Sequence, residues 1–388
     1  MKVMNPRLVR AARRLDFVWR LLARLSTPHH APDNSPVASI LVVDLHLVGD
    51  MVMLIPLISS LRERHPSAKI SLLAGPWCAA ILTGIPAVDE VITYVAPWVK
   101  RQRLLSAIIG YCRIACRLRA TRWDIGIDVR GDIRQILLLY LAGCRQRVGF
   151  DFTGGGALLT EVVPDDGELR HVLDHHQRIA ACLGAWGGQD FIPALSLTSD
   201  EKRDAARIAP FIGFHLGASL PLRRLPPREA AALVSLHDCP DQHLVFFSSP
   251  DMEDYTAEVL SLLPAPLARR LEVWRGDLRG FIVKASRARR MFTMDSGPAH
   301  IAAALALDTV VFFGPNLPRY TGPRGQRVRF VEDTTVPCRP CDQHTCTNVV
   351  YQACMLGLVD TWRQHPEDDD RRSRTGPPDA GAWPTAQD

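Results

Sequence analysis

The chain has 388 residues, 47% of them hydrophobic and 22% charged, with mean hydropathy at zero. It is too long for one ordinary core and points to two domains, and with no apolar run near about eighteen residues a membrane-spanning helix is excluded. The net charge of +5 sits in an N-terminal arm, where Lys2, Arg7, Arg10, Arg13, Arg14, Arg20 and Arg24 face Asp16 alone over residues 1–30, so the body is near neutral and no nucleic-acid partner is expected.

In that arm Leu8, Ala11, Leu15, Val18, Leu22 and Leu25 recur at intervals of three and four between the arginines. This is the pattern of a basic amphipathic helix of the kind that lies on anionic membranes, and it reads equally as a helix packed on the body or a disordered leader. The arginines interrupt any apolar core a signal peptide would need. Ten cysteines without a secretion signal imply a reducing, cytoplasmic setting. Two prolines within 31–36 make a hinge that ends the arm at residue 36.

The body opens with a buried strand at 39–44 (SILVVD), a polar turn, and a helix over 51–65. Strands at 69–74 and 88–94, with a short helix at 76–82 between them, precede a long basic amphipathic helix over 100–120. A strand at 124–129 (DIGIDV), a helix over 133–142 and a strand at 147–150 follow. Such alternation predicts a parallel sheet covered on both faces. Residues 152–204 read as loops, one helix near 174–183 and a linker, which sets the first domain at 37–190. A second series then runs over 191–362, with strands at 211–215, 243–247 and 271–274 and a helix over 228–237. The tail, 363–388, is acidic, proline-containing and expected to be disordered.

The second series culminates in RMFTMDSGPAHIAAALALDTVVFFG, residues 290–314. Met291 to Met294 fits a buried strand, the chain breaks at Asp295-Ser296-Gly297-Pro298, and an Ala/Leu-rich helix follows before the strand Thr309 to Phe313. Pro298 suits a first helical turn and Gly297 permits close backbone approach. The helix start aims amides and the positive end of its dipole at the space beyond the strand ends, where a phosphate fits. Asp295 and His300 stand where ligands bind in doubly wound sheets, although local capping and a satisfied histidine would explain them too.

Four separated motifs, ILVVDLHLVGDMVMLIPLISSLRERHP, DIGIDVRGDIRQILLLYLAGCRQRVGFD, FIGFHLGAS and MDSGPAHIAAALALDTVVFFGP, resemble in order and spacing glycosyltransferase family 9, the ADP-heptose:lipopolysaccharide heptosyltransferases. The resemblance runs from about Ile40 to Leu358. It implies a GT-B architecture, two Rossmann-like doubly wound domains facing a cleft, with the acceptor mainly on the first and the nucleotide sugar mainly on the second. It also implies an inverting transferase acting on a lipopolysaccharide core or other lipid-linked acceptor; the basic arm adds a peripheral place at the inner membrane's cytoplasmic face, and a helix start that stabilises the departing diphosphate does so without a metal, so no cofactor is expected for catalysis. Asp50 matches the family's Gly-Asp position and is the candidate base, with a helix N-cap as its alternative. His46 and Gly49 fall on the acceptor side. The donor side comprises Ser219, Arg223, Arg224, Glu253, Asp295, Ser296, Gly297, Pro298, Ala299 and His300, with the backbone of Ser296, Gly297 and Ala299 as phosphate cradle and the Ser296 hydroxyl as an added donor.

The chain departs from the family pattern at Arg223-Arg224-Leu225-Pro226, where a lysine, a basic residue, tryptophan and proline are usual. Arginine neutralises a diphosphate with a different reach. The family's acidic residue after the next strand falls at Asp251 or Glu253. Cys338, Cys341, Cys346 and Cys354 form C-x2-C-x4-C-x7-C, a finger at 338–354 that could wrap one structural zinc or iron, or remain free thiols. Alternatives to heptosyl transfer are another nucleotide sugar, a protein acceptor, or a non-catalytic binding protein on the same scaffold.

Overall fold

A computed structural model describes residues 17, 19–21, 36–100, 102–341 and 344–364. The expected arm lies outside these residues except for Phe17, Trp19, Arg20 and Leu21, and the expected tail lies outside them from residue 365. The chain forms two units. One is built on the described residues up to Asp204 together with Leu278–Val283 and Arg319–Gly322, the other on Ala205–Asp277, Lys284–Pro318 and the described residues from Pro323.

The first unit carries β1 (Ser39–Asp44), β2 (Lys69–Ala74), β3 (Glu90–Thr93), β4 (Ile125–Asp128), β5 (Gln146–Gly149) and β6 (Glu161–Val162), in the order β3-β2-β1-β4-β5-β6. Every pairing is parallel. Its helices are α1 (Val48–Arg64), α2 (Ala79–Leu82), α3 (Leu104–Arg119), α4 (Ile133–Leu141), α5 (Val172–Cys182) and α6 (Ser199–Ala206). Ile40 to Val43 have no exposed surface, as befits a central strand covered on both faces. Leu41, Val43 and Leu73 share one cluster with Ile114, Leu118 and Leu139 from the covering helices.

The second unit repeats the plan with β7 (Phe211–His215), β8 (Leu244–Ser248), β9 (Glu272–Arg275), β10 (Ala288–Met294), β11 (Asp308–Phe313) and β12 (Val328–Glu332), in the order β12-β11-β10-β7-β8-β9 and again all parallel. Its helices are α7 (Pro227–Ser235), α8 (Glu253–Leu262), α9 (Ala265–Arg270), α11 (Gly297–Ala304) and α13 (Leu358–Gln364), while α10 (Leu278–Ala285) and α12 (Pro318–Thr321) fall largely in the first unit. Phe292 on β10 is fully buried, stacked on Phe214 at 5.4 Å and met edge-on by Trp362 of α13 at 5.6 Å. Arg290 and Arg329 lie over the same tryptophan ring and both pair with Asp308.

The structure differs from the sequence reading in identifiable places. The units divide after Asp204 rather than at residue 190, because Arg279 pairs with Glu201 and donates to the Ser196 and Ala80 carbonyls, holding the intervening segment to the first unit. Strands β6 and β12 and helices α6, α8, α9, α10, α12 and α13 lie where no element was expected. Helix α1 begins at Val48, so Asp50 sits inside its first turn rather than ahead of it.

Because Phe292 makes its contacts from a site with no exposed surface, Phe292→Ala should lower unfolding free energy by about 4 kcal/mol, measured by denaturant titration. A loss below about 1 kcal/mol would show that its surroundings collapse to fill the space.

Candidate active site

In a parallel sheet the residues just past each strand gather along one edge. At that edge of the first unit, β1 ends at Asp44 and is followed by His46 and then by Asp50 in α1. Leu47 is the N-cap of α1, and its amide donates to Asp50 Oδ2 at 3.3 Å. Asp50 therefore supports the helix start from the third helical position and is not itself the N-cap. Gly49, one residue earlier in the same turn, is half-buried.

The other carboxylate oxygen receives Arg130 Nη1 at 2.8 Å. Arg130 belongs to the turn Val129-Arg130-Gly131-Asp132 between β4 and α4 and is 6% exposed. Two features hold this turn. Gly131 has φ +65°, where a side chain would be strained and would meet Phe152 at 2.6 Å. Thr153 clamps both sides, donating from N and Oγ1 to the Gly131 carbonyl and accepting from Ile133 N.

Burial works to raise the Asp50 pKa, but Arg130, His46 and the Leu47 amide outweigh it and hold the carboxyl below its usual value. Asp128, behind the turn, is pushed well up by burial and by neighbouring Asp132. Burial also drives His176 down to about 4. His46 faces Asp44 Oδ1 at 3.2 Å and Gln135 Nε2 at 3.4 Å. Asp44 Oδ2, Arg130 Nε, Gln135 Oε1 and His176 Nε2 are buried without a protein hydrogen-bond partner.

At the corresponding edge of the second unit, Asp295 directly follows β10 and Ser296 is the N-cap of α11. Asp295 is 4% exposed and its Oδ2 receives Asn316 Nδ2 at 3.1 Å and faces Arg223 Nη1 at 3.3 Å. Arg223 Nη1 also donates to the Asp295 carbonyl, and Arg224 Nε donates to the Ala218 carbonyl at 2.8 Å. His300 is buried in α11, behind Gly297 and Pro298 in the first turn.

Some expected donors are otherwise engaged. The Ser296 hydroxyl donates to the Met294 carbonyl at 3.2 Å and the Ala299 amide to the Ser296 carbonyl at 3.1 Å, so neither is spare in this conformation. Glu253 forms a two-pronged pair with Arg275 on the edge strand β9, which draws its carboxylate away from the Asp295 turn. Ser219 is exposed beside the Arg223 segment. Sequence reasoning missed Arg130 and Asn316. Arg130 lies within a quoted motif and directly follows a strand, which is a usable signal. Asn316, past Gly314-Pro315, offers none.

Cys338, Cys341, Cys346 and Cys354 are free thiols lining one small cavity with Arg339 and Asn348. Asn348 Nδ2 donates to Cys338 Sγ at 3.5 Å and the Gln352 amide to Cys346 Sγ at 3.4 Å. The donor set suits zinc or iron in kind, with amides already directed at two sulfurs. Among the described residues, however, no three metal-ligating side chains are drawn together closely enough to hold an ion.

Two doubly wound sheets, one presenting a carboxylate and the other a helix start with arginines, define an α/β enzyme scaffold with polar groups at the strand ends. The family model for glycosyltransferase family 9 (heptosyltransferase) matches residues 111–352. Lipopolysaccharide heptosyltransferase 2 of Escherichia coli is 28% identical over 313 residues, covering 75% of this chain and 87% of that protein. The solved E. coli ADP-heptose LPS heptosyltransferase II superposes with a TM-score of 0.66 at 23% identity, over 84% of this chain and 99% of that one. A family 9 glycosyltransferase from Veillonella parvula gives 0.70 at 18% identity, over 86% and 98%. The chain belongs to glycosyltransferase family 9 and is a glycosyltransferase of GT-B fold.

Asp50, with its depressed pKa, stabilises the fold above its unfolded pKa, and this contribution is lost as pH falls through the folded value. Asp50→Asn should therefore be less stable than the parent at pH 7, with the difference shrinking below about pH 4, as measured by denaturant unfolding at both pH values.

Proposed function

We propose that this enzyme transfers heptose or a related sugar from an ADP-sugar to a lipopolysaccharide core or similar lipid-linked acceptor, with inversion, at the cytoplasmic face of the inner membrane. The observation that carries the reading is the Asp50 carboxylate, held ionised by Arg130 at the strand edge of the first unit. An acceptor hydroxyl attacking the anomeric carbon must lose its proton as the new C–O bond forms, and Asp50 takes it. The bond from that carbon to the diphosphate breaks and the ADP departs with its electron pair. Arg223, Arg224 and the first turn of α11 offset the negative charge that develops there, so no metal is needed for the transfer. Asp295 and Asn316 position Arg223. The unspent polar atoms of Asp44, Arg130, Gln135 and His176 suit a hydroxyl-rich acceptor. The names of the relatives support heptose, ADP and lipopolysaccharide. Residues 1–30 supply one basic contact to the membrane.

Asp50→Asn should bind ADP as the parent does while transfer falls by about 10²–10⁴-fold; undiminished turnover removes Asp50 as base. Arg130→Leu takes away the counter-charge, so the Asp50 pKa rises and the acid limb of the pH–rate profile moves to higher pH. For the donor, thermal shift with ADP-heptose, ADP and UDP-sugars should show stabilisation by the adenine compounds, and a flat response to all of them rejects the assignment.

We also propose that Cys338, Cys341, Cys346 and Cys354 together take one structural zinc or iron, closing on it from the cavity they share. Elemental analysis should find about one ion per chain, and chelation should lower the melting temperature. Purified protein with neither metal would refute it.

A further inference from the structure

Helix α3 and its approach form a surface that the transferase reading does not use. Between Glu90 and Asp124 the chain contains no acidic residue, yet it holds Lys100, Arg101, Arg103, Arg113, Arg117, Arg119 and Arg122. On the first two turns of α3, Leu104 is 77% exposed, Leu105 70%, Ile108 51% and Ile109 42%. Further along the same helix, Ile114, Ala115 and Leu118 pack into the core. Exposed apolar residues are ordinary when single, but four adjacent ones on a helix whose charged residues are all cations form a patch with a partner. The patch and the charges are also separated along the helix: the leucines and isoleucines come first, and exposed Arg113 and Arg117 follow.

The position is informative. A crossover helix in a parallel sheet runs back against its strands, so the start of α3 lies at the strands' carboxyl edge. Two contacts fix it there: Tyr111 Oη donates to the Arg134 carbonyl at 2.6 Å, and the Arg134 guanidinium sits 4.4 Å over the Trp98 ring. Arg134 in turn pairs with Asp132, in the same turn as Arg130. The apolar patch therefore sits on the edge of the unit that carries Asp50.

We propose that the first two turns of α3 dock into an anionic bilayer surface, the apolar side chains entering the headgroup–acyl boundary while Lys100, Arg103, Arg113 and Arg117 meet lipid phosphates. Charge complementarity selects this occupant, because a second copy of the acid-free segment 91–123 or the basic residues 1–30 would bring like charges together. The inference concerns the surface alone and stands whichever sugar is transferred.

The test is co-sedimentation of the full chain with phosphatidylethanolamine–phosphatidylglycerol vesicles and with phosphatidylcholine vesicles, with no donor or acceptor present. The parent should bind the anionic vesicles and be released by salt. The triple variant Leu104→Ser/Leu105→Ser/Ile108→Ser should lose about ten-fold or more of that binding at unchanged melting temperature. Arg113→Glu/Arg117→Glu should lose about ten-fold and with it the preference for anionic lipid. Undiminished binding by the serine variant, or no binding by the parent, overturns the proposal. So does a parent dimer that the serine variant converts to monomer, which would make the face a self-association surface.

Discussion

All strands in both sheets run parallel to their neighbours, and the placement of every functional group described above depends on that constraint. A parallel sheet must be covered on both faces, so its strands become continuous apolar runs and cannot carry polar chemistry in their middles. The polar side chains of the candidate site therefore gather at and just past the strand ends. Asp44 and Asp128 are the last residues of β1 and β4, and Asp295 directly follows β10.

The same constraint explains the electrostatics of the first unit. Residues so close to a buried edge are poorly solvated, and a carboxylate there survives as an anion only with a counter-charge. Asp50 has Arg130 and stays ionised; Asp128, on which burial and then Asp132 act most strongly, is driven towards its neutral form. Two carboxyl groups within one small region thus hold opposite protonation preferences, a separation that acid–base chemistry requires.

The central elements were readable in the residues because their signals are strong and local. SILVVD, DIGIDV and MFTM are apolar runs closed by turns, and the Asp-Ser-Gly-Pro break before α11 announces itself. Edge strands β6 and β12 were not readable, since β6 is two residues long and β12 carries Arg329 and Glu332 among its apolar positions. The site was half legible: Asp50, Asp295 and His300 stand in recognisable turns, whereas their tertiary partners do not. The Asp50–Arg130 pair joins residues eighty apart, and the Asp295–Asn316 hydrogen bond depends on how the chain leaves β11. Ser296 and Ala299 were overcounted as donors because a sequence cannot show that their hydrogens are directed at nearby carbonyls.

Arg339 reaches out of the thiol-bearing loop to donate to the Gly314 and Asn316 carbonyls and to pair with Glu332, while Met355 from the loop's far side lies against Gly314. The segment is thus stitched at two points to the strand exit that presents Asn316. Trimming it to make a minimal enzyme would unpick the exit as well, and the slack would reach Asp295 and Arg223. What reads along the chain as a removable appendage is, in space, a buttress for the Asp295 turn of the second unit.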